Sequence, residues 1–242
     1  MEKVIITLRG ADADEAWCAR LCAQVAADLL DIGMAGLAVN VRDDVVRDSL
    51  MTLTTLDPPV VGFVSMWTQQ SYGDQVRAAT ALLEKECDDV AAYLVTESVP
   101  LPPPDSVPGQ RTAGLANVAL LRRPVDLDEA TWLARWHIDH TPVAIETQST
   151  FGYTQNAVVR PLTEGAPVIA AIVEELFPEG AISDLHAFFG AADDDDLRDR
   201  MERMVASTAA FGATRDVDTV PTSRYVFRTP FVANRPGRKV IR

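Results

Sequence analysis

Apolar positions along this chain switch between two periods, and the order of switching occurs twice. Val4 to Leu8 is a run of β-branched residues that predicts a strand, and Asp12 or Asp14 is placed to cap the helix that follows, to about Leu30. Cys18, Leu21, Cys22, Val25 and Leu29 fall on one face of that helix and require an apolar surface to cover them. Gly33 to Gly36 breaks it. Leu37 to Val41 and Val60 to Trp67 then predict strands, Tyr72 to Glu86 a second helix, and Val90 to Val95 a fourth strand. The order β-α-β-β-α-β is that of a ferredoxin-like split unit, two helices on one face of a four-stranded antiparallel sheet.

The second half predicts the same order. Its strands are Asn117 to Leu121, Gly152 to Val159, Ala181 to Phe188 and Arg224 to Arg228, and its helices are Asp128 to about Gln148 and Asp193 to Ala210. Local motifs recur with it. Trp17, Ala19 and Arg20 reappear as Trp132, Ala134 and Arg135, and Gly36 and Asn40 reappear as Gly152 and Asn156. The predicted organisation is a first ferredoxin-like repeat over 1–98, a proline-rich linker over 99–114, and a second repeat over 115–242 that ends in a basic tail carrying Arg235, Arg238, Lys239 and Arg242. Each unit leaves the helix-free face of its sheet bare, so the expected fold class is α+β, with the two repeats packed sheet to sheet as a pseudo-dimeric α/β barrel around an internal pocket.

Composition narrows the partners. With 35 acidic against 22 basic residues the net charge is −13, which repels nucleic acid and anionic membranes. Apolar runs are interrupted well short of a bilayer span, and no secretory signal opens the sequence. Three cysteines without metal-type spacing argue against a disulfide framework and fit a reducing compartment, for which the cytoplasm is the simple choice. Asp193 to Asp196 reads as the capped start of a helix and lacks the pattern of a calcium loop.

The candidate chemistry lies where the two halves differ. Aligned on Trp-x-Ala-Arg, the stripe Cys18, Leu21, Cys22, Val25, Leu29 becomes Leu133, Trp136, His137, His140, Ala144. All three histidines, the third being His186, fall in the second half. His137 and His140 occupy adjacent helical turns, and period-2 alternation in the predicted strand puts Asp184, His186 and Phe188 on one face, turned toward the barrel interior. Their spacing matches no familiar metal motif, so no metal is expected. Either the helix histidines pack and brace the helix before Pro142, or His140 exchanges protons as a general acid/base near its ordinary pKa of ~6.5, with His137, Asp184 and His186 orienting or sharing the proton. Trp67, Trp136, Tyr153 and Phe188 would wall the pocket, and Arg123 could meet an anionic group or pair on the surface.

Arg123-Pro124, Asp128-Glu129, Trp136 and His140-Thr141-Pro142, with Asp184-Leu185-His186 further on, resemble the EthD family of dimeric α/β barrel proteins. The resemblance runs from about Ala116 to Arg228. It departs from the family pattern at Thr141 and His186. It implies that His140 is the family's usual histidine and that no cofactor is needed. The activity it implies is a proton transfer of isomerase, cyclase or lyase type on a hydrophobic cyclic or aromatic carbonyl compound. A non-catalytic carrier of a small hydrophobic molecule is the alternative, and pairing of chains as a homodimer stays open.

Overall fold

Along the first strand, β1 (Glu2–Arg9), Val4, Ile6 and Leu8 pack into one apolar cluster while Ile5 packs into another, so both faces of the strand are covered. That double burial is what a sheet closed on itself and wrapped in helices demands. The computed structural model describes residues 1–230. The basic tail lies outside the described residues.

The strands are β1, β2 (Gly36–Val41), β3 (Val60–Thr68), β4 (Asp89–Leu101), β5 (Leu115–Leu121), β6 (Gly152–Pro161), β7 (Ala171–Phe177) and β8 (Asp218–Arg228). They close an antiparallel barrel in the order β1-β3-β2-β8-β5-β7-β6-β4. Read by halves, the order is β4-β1-β3-β2 and β8-β5-β7-β6, the same ferredoxin-like arrangement twice. The halves join along two seams, β2 with β8 and β4 with β6. The fold is therefore the expected pseudo-dimeric α/β barrel. Strand β4 runs to Leu101, past the expected boundary at 98, because its outer part pairs with β6 across the seam.

Helices cover the outside. The first helix, α1, runs as Glu15–Arg20, a π-helical turn Leu21–Val25, and Ala26–Asp31, and α2 spans Asp74–Leu83. In the second half α3 runs as Glu129–Ala134, a π-helical turn Arg135–His140, and Thr141–Thr147, followed by the short α4 (Leu185–Phe189) and by α5 (Asp194–Ala210). The π turn begins at the end of the repeated Trp-x-Ala-Arg in both halves, just after Arg20 in the first and at Arg135 in the second. Asp14 and Asp128 cap α1 and α3 by accepting from the backbone N–H of Trp17 and Thr131. The repeated arginines do equivalent work: Arg20 meets the Glu86 carboxylate just beyond α2, and Arg135 donates to the carbonyl of Ala210 at the end of α5.

The repeated glycines also have one physical reason. A Cβ at Gly36 would stand 2.9 Å from the Trp67 ring, and one at Gly152 would stand 2.9 Å from Leu176 Cδ1. Those residues are the cross-strand neighbours of the two glycines.

One predicted strand is wrong. Ala181 to Phe188 is not extended: Glu179–Ile182 forms a 3-10 turn after Pro178, and the Asp184 carboxylate caps α4 by accepting from the N–H of His186 at 2.9 Å. The third strand of the second half is β7, ten residues earlier in the chain. Asp193 accepts from the N–H groups of Asp195 and Asp196, which is the capping role expected for the aspartate run. All three cysteines are free thiols. Among the described residues no helix is long and apolar enough to cross a membrane.

Candidate functional site

Alternation along the strands sorts side chains into two environments, and each holds polar groups. Inward-facing residues enclose a chamber of about 260 Å³ at one end of the barrel; Ile5, Val60, Tyr93, Leu120 and their neighbours pack the rest of the interior. Ile5, Phe63, Val118 and Ile172 supply apolar lining, together with the repeated asparagines Asn40 and Asn156. Lys3 pairs with Glu97 and lies 4.8 Å from the centre of the Trp67 ring. Burial lowers the Lys3 pKa, and the Glu97 carboxylate opposes that shift. Opposite, Arg224 Nε lies 2.8 Å from Glu174 Oε1, close in distance though not aligned as a hydrogen bond, and Asn40 donates to Glu174 Oε2 at 2.9 Å.

Outward-facing residues meet the helices, and here the halves diverge. In the first half Val25 and Ala26 on α1 pack over Leu37, Val39 and Met66 on the sheet, all within one buried apolar cluster. Matched by the repeat and by the pairings Leu37 with Met66 and Tyr153 with Glu175, the same positions in the second half hold His140, Thr141, Tyr153, Gln155 and Glu175. All five are buried. Gln155 donates to Thr141 Oγ1 at 2.6 Å, and Thr141 donates to the Trp136 carbonyl at 2.9 Å. Trp136, Gln155 and Thr141 surround the Tyr153 hydroxyl. In the orientation that satisfies it, the Gln148 amide donates to Glu175 Oε1 at 3.1 Å. His140 Nδ1 lies 2.9 Å from Ser207 Oγ on α5, and its ring packs 4.7 Å from that of Phe211. The indole N–H of Trp132 is buried without an acceptor, while that of Trp136 lies against the Tyr153 hydroxyl.

Burial keeps this layer uncharged at neutral pH. It pushes the Glu175 carboxyl up to about 8, lowers His140 to about 4, lowers His137, and raises the Tyr153 phenol. A protonated carboxyl, a phenol and two indoles are donors, whereas a neutral imidazole can accept a proton. The layer thus buries several donors and a neutral nitrogen base.

The predicted site residues are split between these places and others. Trp67 lines the chamber. His140, Trp136 and Tyr153 sit in the second helix–sheet layer, outside the barrel wall. A helix packed on the outer face of a closed sheet cannot furnish the interior, so the chamber holds ion pairs and amides where imidazoles were expected. His137 packs edge-on against Trp136 at 4.3 Å, half-buried, with Nε2 unpartnered. Asp184 and His186 do not face the barrel: the His186 ring is partly exposed and its Nε2 lies 3.0 Å from Asp194 Oδ1. Phe188 stacks on Phe177 at 4.1 Å in a small cluster with Leu115 and Phe189. Arg123 is exposed and donates to the Leu127 carbonyl, while its neighbour Arg122 pairs with the buried Asp218 at 2.6 Å. Glu175 and Gln155 were missed, although the offset that matched Asn40 with Asn156 also turns Val39 into Gln155.

No protein-family model matches this sequence, and no curated protein matches it. Solved structures do match in shape. An anthrone oxidase-like protein superposes with a TM-score of 0.54 at 8% identity, over 96% of this chain and 96% of that one. A candidate monooxygenase from Lactobacillus acidophilus gives 0.47 at 9% identity, over 95% and 96%, and a mutant chlorite dismutase from Candidatus Nitrospira defluvii gives 0.45 at 10%, over 92% and 90%. The likeness to the first is a likeness of fold.

Proposed function

We propose that this chain acts on a small hydrophobic carbonyl compound, cyclic or aromatic, held in the helix–sheet layer of its second half, in the manner the EthD resemblance implies. The observation that carries the reading is the replacement of Val25, Ala26, Leu37, Val39 and Met66 by His140, Thr141, Tyr153, Gln155 and Glu175 at equivalent buried positions. Burying polar groups costs stability wherever they lack partners, and the apolar set shows that the fold does not need them.

In this reading the protonated Glu175 carboxyl and the Tyr153 hydroxyl donate to the carbonyl oxygen. His140, steadied by Ser207, takes a proton from the carbon next to the carbonyl. The electron pair of that C–H bond moves to form the enolate, whose oxygen keeps the Glu175 hydrogen bond, and return of the proton from His140 at another carbon of a conjugated system completes an isomerisation. A carboxyl held neutral by burial suits that donor role.

The test is exchange of the α-protons of 1-tetralone in D2O, followed by NMR, with wild type and with His140→Ala and Glu175→Leu variants. The reading expects exchange by wild type above the buffer rate and a loss of about a hundredfold or more in either variant. Equal exchange by wild type and His140→Ala overturns the proton-transfer reading. Saturable quenching of Trp132 and Trp136 fluorescence without exchange selects the carrier reading, which rests on the same buried polar layer and the unpartnered Trp132 indole.

A further inference from the structure

We propose that the barrel chamber is a second ligand site, separate from the His140 layer, built for a monocyclic aromatic acid that carries a hydroxyl group. Strand alternation puts the two places on opposite faces of the sheet, so neither needs the other to be filled.

Size sets the first limit. An apolar cavity of ~150 Å³ accepts benzene, and the chamber, at about 260 Å³, has room for one ring with substituents at both ends. Its apolar lining, Ile5, Phe63, Val118 and Ile172, would hold the ring by burial alone.

Charge sets the second limit. Lys3 is matched by Glu97 and Arg224 by Glu174, so those four groups cancel in pairs. Arg228 lines the same chamber and is exposed. Its guanidinium donates to the Met34 carbonyl at 2.8 Å, and it pairs with no carboxylate among the described residues. The chamber therefore carries one cation in excess, and that cation is open to solvent, where a ligand carboxylate can reach it with a bidentate contact.

An unsatisfied acceptor sets the third. Asn156 is 2% exposed, and its Nδ2 donates to the Ile172 carbonyl at 2.9 Å, which fixes the amide orientation and leaves Oδ1 without a donor. Asn156 lies directly across from Ile172, the level of the apolar lining, and its repeat partner Asn40 sits three residues deeper along β2 than Leu37, which pairs with Arg228. Asn156 and Arg228 both line the one chamber, so a ligand hydroxyl donating to Asn156 Oδ1 and a ligand carboxylate at Arg228 would be met within it.

The test is a titration of the intact protein with 4-hydroxyphenylacetate, read by methyl NMR shifts of Ile5, Val118 and Ile172. Phenylacetate, which lacks the donor, and 4-hydroxyphenylethanol, which lacks the anion, are the comparison probes. Saturable binding is expected, weakened about tenfold for each comparison probe, since one hydrogen bond or ion pair in a site of this kind is worth about 1.4 kcal/mol. Arg228→Gln, at an exposed position, should weaken the acid about tenfold and leave the alcohol unchanged. Val118→Trp, which fills the chamber, should abolish both. Binding that is indifferent to Arg228→Gln, equal affinity for all three probes, shifts confined to Ala144 and Val173 in the other layer, or no saturable binding by wild type would each overturn the proposal.

Discussion

Glu175 stands where the first half has Met66, and it sits in the second helix–sheet layer with no cation beside it. Its pKa, raised to about 8 in the fold, exceeds the unfolded carboxyl value, so the folded state holds a proton that the unfolded chain has lost. Stability therefore falls as pH rises from the ordinary carboxyl range to about 8, by up to about 1.4 kcal/mol for each pH unit. His140 has the opposite sign. Lowered to about 4, it removes stability as pH falls below the ordinary imidazole value. Glu175→Gln should therefore be more stable than wild type at pH 8 and nearly equal to it at pH 5, measured by urea midpoints. A midpoint difference that does not grow with pH would refute the assignment. At this scale the sequence was partly legible. The change from Val25 to His140 could be read from the helical stripe, and Leu37 to Tyr153 from the glycine-anchored offset. Glu175 could not, because the sequence pattern puts its strand ten residues too far along.

That misplacement has an element-scale cause. In β7 the adjacent Glu174 and Glu175 point to opposite faces, one into the chamber and one under the helices, so the strand shows no clean alternation. The stretch from Ile182 to Phe188 does alternate, but Asp184 caps a helical turn there, and local side-chain to backbone bonding outweighs a short period-2 pattern. Helices were easier to read because their caps and stripes agree. Asp193 carries such a cap for α5, accepting from Asp196 N at 2.9 Å and Asp195 N at 3.1 Å. Asp193→Ala should cost about 1 kcal/mol in urea unfolding, and Asp193→Ser should restore most of it. Equal losses in both variants would show that the carboxylate, and not the capping geometry, matters.

For the whole molecule, the repeated element order was enough to foresee closure of two sheets into one barrel, but not which side of the wall the histidines would occupy. The seams β2 with β8 and β4 with β6 should hold the halves together without the exposed connection between them. A protease site inserted between Asp105 and Ser106 should give, after cleavage, fragments that stay together in size-exclusion chromatography and keep the near-ultraviolet spectrum of wild type. Separation of the fragments would refute the seam account. Two repeats with one scaffold also supply an internal control, since the first half shows how the layer packs without chemistry. The most direct measurement is the urea midpoint, at pH 8, of a variant carrying the first half's residues in the second: His140→Val, Thr141→Ala, Tyr153→Leu, Gln155→Val and Glu175→Met. If the polar layer is kept for a ligand at the expense of stability, the midpoint rises above wild type; if it falls below, those groups hold the fold together and the site assigned to them is wrong.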